Sequence, residues 1–317
     1  MTEIFIRRSR GKAMVGKLAK AKRAGYKSYK LKQTAAPYLF LLPNILIFSI
    51  FIILPAVIGV YYSMTNFDGL NDPTFIGLKN FVKLFTKDEY FMSSLWNTVK
   101  FVLASVPLTF ISSLGLAYVI VNTVKGTSFY RATYYWPVMI STIVMGVMWQ
   151  WILGDTFGVI NAIRGSFGLG KMQTLTNPTF AWWTTVFITV WSRSGYYMVM
   201  FMGGLLSIPG ELYEAARIDG ANRRQQFFRV TVPMIKPTCV LVLILSTMTI
   251  FKTYPMVLTL TGGGPYDATR YIVQHIYETA FQGYQVGYAS AMSIVMLVIV
   301  TVASAINFRI TKGGENT

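Results

Sequence analysis

The chain has one cysteine, Cys239, and one histidine, His275, in 317 residues. A lone thiol excludes an internal disulfide framework and any Cys-rich metal site, and a lone imidazole leaves no His-rich one. Neither residue carries a functional assignment; both read as packed or surface side chains. Charge is scarce as well, at 13% of residues, where a soluble domain carries about 25%. Internal repeats and low-complexity stretches are absent. No Asp or Glu falls inside any of the long apolar runs, and no His, Cys or carboxylate cluster sits within them to do chemistry. This counts against a membrane enzyme, the third-ranked reading, and against a secondary transporter, the runner-up, which would show coupling carboxylates and broken-helix repeats in its spans. A pure assembly scaffold ranks fourth, with Arg193 against it.

What is present is hydrocarbon in long blocks. Hydrophobic residues make up 53% of the chain, and the mean hydropathy is +0.47. A bilayer core about 30 Å thick takes about 20 mostly apolar helical residues. Runs of that kind lie near Tyr38–Tyr62, Leu95–Val121, Thr133–Leu153, Trp182–Ile208, Thr238–Leu260 and Gly287–Phe308. Open strands leave backbone groups unsatisfied in lipid, and barrel strands are shorter and alternating, so helices are expected. The fold class expected is an all-α membrane protein with six transmembrane helices. Its parts would be a basic arm over residues 1–36, a six-span domain over 37–310 and a tail over 311–317.

The basic residues orient it. Eleven Lys and Arg precede the first run, opposed only by Glu3. Placing that end in the cytoplasm puts twenty Lys and Arg inside and six outside, and both termini inside. The net charge of +17 is then largely topological. It meets anionic headgroups, at about 1 kcal/mol per residue near the surface, and needs no nucleic acid. The arm is too long, and the run behind it too full, for a cleavable secretory signal.

One motif deceives. Gly165-Ser166-Phe167-Gly168-Leu169-Gly170-Lys171 fits seven positions of a phosphate-binding loop. Met172 stands where that loop needs Ser or Thr, and no strand is expected before it. A Gly-rich turn is the reading adopted, so ATP-driven work falls to a partner.

Between the fourth and fifth runs, the segment 207–233 reads as two short helices around a glycine turn. Pro209 suits a first helical position, Glu211 sits near that helix's positive end, and Glu214 and Arg217 are spaced to pair. Gly220 permits the reversal and Pro233 closes the second helix. Physically, such a segment is also an ordinary amphipathic connection. Its spacing, however, resembles the EAA loop of ABC importer permeases: Glu214-Ala215-Ala216, then Gly220, then Val230-Thr231-Val232-Pro233. Two valines replace the usual isoleucine and leucine.

Asp219-Gly220-Ala221 is similar to the carbohydrate-uptake branch. So are the Pro55 region, Gly158-Val159-Ile160-Asn161, and Leu260-Thr261-Gly262-Gly263-Gly264-Pro265. The chain beyond Lys32 resembles the larger-type permease of sugar importers such as the maltose and glycerol-3-phosphate systems.

The resemblance implies a type I importer architecture in the cell (inner or cytoplasmic) membrane. It implies four partners: a second homologous permease, a cytoplasmic ATPase dimer, an extracellular solute-binding protein and the bilayer. No cofactor is expected in this chain; ATP and Mg would be bound by the ATPase. A coupling loop over 209–237 would meet that ATPase through Glu214, Ala215, Ala216, Asp219 and Gly220. The binding protein would dock at loops including Gly262, Gly263, Gly264 and Pro265. By alignment with the maltose permease, sugar contacts fall at Ser192, Arg193, Tyr196, Ser246, Thr249, Ile250 and Thr253.

Intramembrane cations are functional candidates by default. Lys100 lies near a span end and can snorkel. Lys252 reaches either the outer interface or a water-filled cavity. Arg193 either pairs between helices or meets substrate, and with Lys252 it favours an acidic one, such as a uronate-containing oligosaccharide or a phosphorylated polyol.

Overall fold

A computed structural model describes residues 38, 40–123 and 126–312. The expected basic arm, 1–36, and the last five residues lie outside these. The chain divides into two units, 1–61 and 62–317, and the interior described below is that of the second. Helix α1, Phe40–Ser63, is predominantly apolar and includes a π turn at Ser49–Ile53. Helix α2 covers Lys79–Thr86, and α3 runs over Glu89–Thr123, longer at its start than the expected run. These are followed by α4, Thr127–Met139, and α5, Thr142–Leu153. Short α6, Val159–Ser166, precedes the long α7, Pro178–Leu206. The loop helix α8 covers Gly210–Ile218, and α9 covers Arg223–Met234 with a π turn at Phe227–Thr231. Then come α10, Lys236–Phe251, α11, Pro255–Leu260, α12, Ile272–Tyr277, and α13, Val286–Lys312. Helix α13 therefore extends into the stretch expected to be tail.

Among the described residues, three helices are long and apolar enough to cross a membrane: α1, α3 and α13. The count is five if α4–α5 and α9–α10 each serve as one bent span. The protein is thus a multi-pass helical membrane protein. The expected third span is not one helix. α4 and α5 meet at 95°, because Ile140 and Ser141 are extended, with ψ of 132° and 135°, just beyond Pro137. The expected fifth span is broken too. α10 stops at Phe251, and Pro255 opens α11. A proline disfavours helical geometry in the residue before it, so the chain between them cannot continue the helix.

Helix α7 explains why hydropathy alone undercounts. At 29 residues it is about 43 Å long, enough to span. It carries many hydroxyls and Arg193, however, because α3, α4 and α10 enclose it and little of it need face lipid. Its contact with α3 is the most extensive in the molecule. Small and hydroxyl residues line that contact: Ser105, Thr109 and Ser113 of α3 are fully buried, and the Ser112 and Ser194 hydroxyls share a 2.6 Å hydrogen bond. Such interhelical bonds contribute about 0.6 kcal/mol each. A Cβ on Gly195 would strike the Tyr134 carbonyl, so α4 crosses α7 at a distance that only glycine allows. Gly146 does the same for α5 against Thr259 and Met256 of α11.

Candidate functional site

Both helix breaks open onto one place. A cavity of about 90 Å³ is lined by Thr142 and Met145 of α5, Thr189, Ser192 and Arg193 of α7, and residues 252–256 of the second break. The cavity brings Lys252, Thr253 and the first turn of α5, from beside the two breaks, together with Ser192 and Arg193 of α7. First-turn N–H groups have no intrahelical acceptor, and that end of a helix carries partial positive charge. The Ser141 side chain makes no capping bond to them. Among the described residues neither Arg193 nor Lys252 forms an ion pair. The cavity is therefore cationic, hydroxyl-rich and suited to a carboxylate or phosphate.

Of the eight candidate substrate residues, Ser192, Arg193, Lys252 and Thr253 converge here. Tyr196 is exposed on α7, outside the cavity lining. Thr249 is half-buried beside the Tyr197 hydroxyl. Ser246 is fully buried and donates to the Leu243 carbonyl, while Ile250 packs in the apolar core with Phe251 and Val257. Thr142, Thr189 and Tyr254 line the cavity but escaped the sequence reading. The signals that could have found them were Pro137 and Pro255, two helix breakers inside apolar runs.

On the loop, Pro209 is the residue before α8 rather than its first helical position, with ψ of 131°. Gly220 adopts φ +78° and makes the reversal. Asn222 then starts α9 with a capping box, its side chain accepting from the Gln225 amide while Gln225 returns the bond. The Asn-x-x-Gln spacing is the sequence signal that could have found this cap. Pro233 lies within α9, one residue before its end at Met234. Glu214 and Arg217 form no ion pair with each other. Gly210, Tyr213, Glu214 and Arg217 form one stripe of α8, facing a cavity of about 620 Å³. Leu212 and Ala215 fall on the opposite, exposed face, and Ala216, Asp219 and Gly220 follow at the helix end. The contacts that hold the loop include the Tyr213 and Thr231 hydroxyls at 2.9 Å, the Tyr118 and Phe227 rings at 4.9 Å and the Gln226 side chain donating to the Ala221 carbonyl.

The segment 261–270 is a braced turn. Gly262 and Gly263 have φ of +63° and +94°, and the Gly264–Pro265 bond is cis. Gln274 donates to the Gly262 carbonyl, Thr269 to the Gly264 carbonyl, and Asn97 to the Asp267 carbonyl. The turn lifts Tyr266 to 93% exposure.

A second braced segment follows α5. Asn161 exchanges bonds with both backbone groups of Met172. Asp155 accepts from the amides of Thr174, Leu175 and Thr176 and from the Thr176 hydroxyl. Burial pushes the Asp155 carboxyl up, but these bonds outweigh it and hold it below the usual carboxylate range. The Gly165–Lys171 stretch begins as the end of helix α6, with the Leu169 amide donating to the Arg164 carbonyl. It follows a helix rather than a strand, so it lacks the architecture of a phosphate-binding loop.

A helical membrane bundle with a polar cavity at broken helices is the build of a membrane transport subunit. The chain belongs to the family of binding-protein-dependent transport system inner membrane components, which matches residues 116–313. It is 39% identical over 282 residues to the probable ABC transporter permease protein YesP of Bacillus subtilis (strain 168), covering 88% of this chain and 91% of that protein. It is 35% identical to the probable starch degradation products transport system permease protein AmyD of Thermoanaerobacterium thermosulfurigenes, covering 88% and 94%. Among solved structures, a chain of a bacterial ABC transporter involved in import of the acidic polysaccharide alginate superposes with a TM-score of 0.76. The two are 28% identical, and the match covers 90% of this chain and 100% of that one.

Proposed function

We propose that this chain is the membrane-spanning permease subunit of an ATP-driven oligosaccharide importer, and that its substrate is acidic. Its relatives include permeases named for starch products and for alginate import, so neutral and acidic saccharides are both represented among them. The observation that carries the acidic reading is the convergence of Arg193 and Lys252, both without an ion pair, at the point where two helix breaks meet α7. A fixed guanidinium binds a carboxylate bidentately, and ammonium, hydroxyls and helix start add to the same field. At about 90 Å³ the cavity is far below the roughly 300 Å³ or more of a ligand pocket. In this reading it is half a site, completed by a second permease.

Six crossings, namely α1, α3, α4–α5, α7, α10–α11 and α13, put both termini in the cytoplasm. There the loop 209–237 receives motion from an ATPase dimer, which holds the ATP and Mg and closes on nucleotide. Glu214, Ala215, Ala216, Asp219 and Gly220 are the coupling residues. Outside, a solute-binding protein docks on the turn at Gly262–Pro265. The braced geometry of that turn supports the reading, since a rigid loop loses little entropy on docking.

The experiment is uptake by the complete complex in proteoliposomes, comparing a uronate oligosaccharide with a neutral one of equal length. Arg193→Gln is expected to cut uptake of the acidic substrate at least tenfold and leave the neutral one within twofold. Unchanged acidic uptake would sink the assignment.

A further inference from the structure

Among the described residues, a cluster of unpaired charge lies away from the transport cavity. Arg217 of α8 and Arg223 and Arg224 of α9 line the cavity of about 620 Å³ beneath the loop. Among the described residues none of the three forms an ion pair, and Glu214 is the one carboxylate in the lining. Three guanidiniums against one carboxylate leave the space with a net charge of about +2, open to solvent and without a counter-ion among the described residues. Asn122 and Gln226 add side-chain amides at its edge.

The other half of the lining is aromatic. The edge-to-face pair of Tyr118 and Phe227, 4.9 Å apart, forms one wall, and Tyr213 forms another. Phe228, next to that wall, is 59% exposed. The height of the cavity is set by Tyr118 and Asn122, which lie in the last turns of the 35-residue helix α3. The apolar run of that helix ends at about Val121, so Tyr118 and Asn122 lie where the hydrocarbon gives way to headgroups. Arginines that offer phosphate-matching forks, aromatic rings beside them and an exposed apolar flank, all at that height, are the chemistry of a lipid headgroup site.

We infer that this cavity binds the phosphate headgroup of an anionic lipid from the cytoplasmic leaflet, with the acyl chains leaving along Phe228. Basic pockets on the cytoplasmic side of helix bundles take such headgroups. Of the coupling residues proposed above, Glu214 alone lines this cavity, and Leu212 and Ala215 on the opposite face of α8 stay open to an ATPase. A bound headgroup would tie α8, α9 and the end of α3 to the membrane surface and hold the loop at one height. The inference rests on the cytoplasmic placement of the loop proposed above. It does not rest on the substrate or on the identity of the ATPase, either of which could be reassigned without touching it.

The test uses the full chain in detergent, titrated with short-chain phosphatidylglycerol, short-chain phosphatidylcholine or inorganic phosphate, with bound molecules counted by native mass spectrometry. Phosphatidylglycerol is expected to be retained at least tenfold better than phosphatidylcholine. The Arg217→Gln, Arg223→Gln, Arg224→Gln triple variant is expected to lose that preference, and Arg229→Gln, outside the lining, to keep it. Glu214→Gln is expected to tighten phosphatidylglycerol binding about fivefold by removing the one repelling charge, a gain that a misfolded protein cannot imitate. Equal retention of the two lipids, unchanged binding in the triple variant, or no gain in Glu214→Gln overturns the inference. So does inorganic phosphate competing as well as the lipid does, which would mark a free-anion site. Loss of lipid when an ATPase docks would show that the arginines belong to the protein interface instead.

Discussion

The segments flanking α6 and α11 and the loop between α7 and α10 are built on opposite plans. In the first, polar side chains are spent on the chain's own backbone. Asn161 clamps Met172, Asp155 gathers three amides, and Gln274, Thr269 and Asn97 brace the glycine turn. In the second, three arginines form no ion pair among the described residues, and the ties of the loop include one hydroxyl pair and one ring pair. A surface whose hydrogen bonds are already made is fixed before anything arrives. A surface with unpaired charge is finished by what it meets. The first plan suits docking of a delivered substrate, the second suits receiving motion, and the difference can be broken or sharpened by removing single bonds from each side.

The largest effect is expected from Asn161→Ala. The side chain is 7% exposed and holds Met172 by two bonds of 2.8 and 2.9 Å. Leaving these groups unsatisfied costs about 1–3 kcal/mol each, so the 170–177 segment should loosen. Limited proteolysis is expected to cut there at least tenfold faster than in the wild type, with cleavage at 209–237 unchanged. Equal rates would mean that the bracing is not what fixes this side.

The sequence was most legible where a signal is summed over many residues and least legible where one residue decides. Runs of about twenty mostly apolar positions announce α1, α3 and α13 whatever any one of them does. Helix α7 was legible as a run although its hydroxyls and Arg193 dilute it, because length survives the loss of apolarity. The breaks at 140–141 and 252–254 were missed. A hydropathy window averages over Pro137 and Pro255, the first lying two residues before the end of α4 and the second opening α11. That miss hid the main feature of the site: Arg193 and Lys252 were legible as costly intramembrane cations, but nothing in their spacing says that two breaks bring them to one cavity. On the loop, the turn at Gly220 was legible because only glycine takes its φ cheaply. The fate of Glu214 was not. Its spacing to Arg217 suggested a pair, and the helix instead turns both toward a shared cavity holding two more arginines.

A smaller effect is expected from Tyr213→Phe on the loop. The variant keeps the ring and removes the bond to Thr231, whose side chain is fully buried. One hydrogen bond contributes about 1 kcal/mol, and Thr231 keeps a longer 3.4 Å contact to the Gln226 carbonyl. Hydrogen exchange at 210–218 should speed up by about fivefold while 170–177 stays unchanged. In the complete complex, ATP hydrolysis should become less dependent on the binding protein, because α8 is then less firmly joined to α9. Exchange that changes equally in both regions would erase the distinction between them.

The smallest effect is a dependence on acidity confined to the first region. The hydrogen bonds to Asp155 lower its carboxyl in the folded state, whereas the unfolded value is near 3.9. A carboxyl lowered on folding contributes stability that is fully present above the unfolded value and is lost as pH falls through the folded one. The 170–177 segment should therefore hold its protection at pH 5 and above and lose it progressively below about pH 4. The contribution is expected to stay under about 1 kcal/mol, since water screens a carboxylate that is only partly covered. Asp155→Asn, which cannot titrate, should flatten that acid limb and start from lower protection at neutral pH. The loop at 209–237 has no carboxylate collecting backbone amides in this way, so its exchange should not follow the same curve. If both regions open together below pH 4, acid is acting on the whole bundle, and the bracing around Asp155 is not a local device.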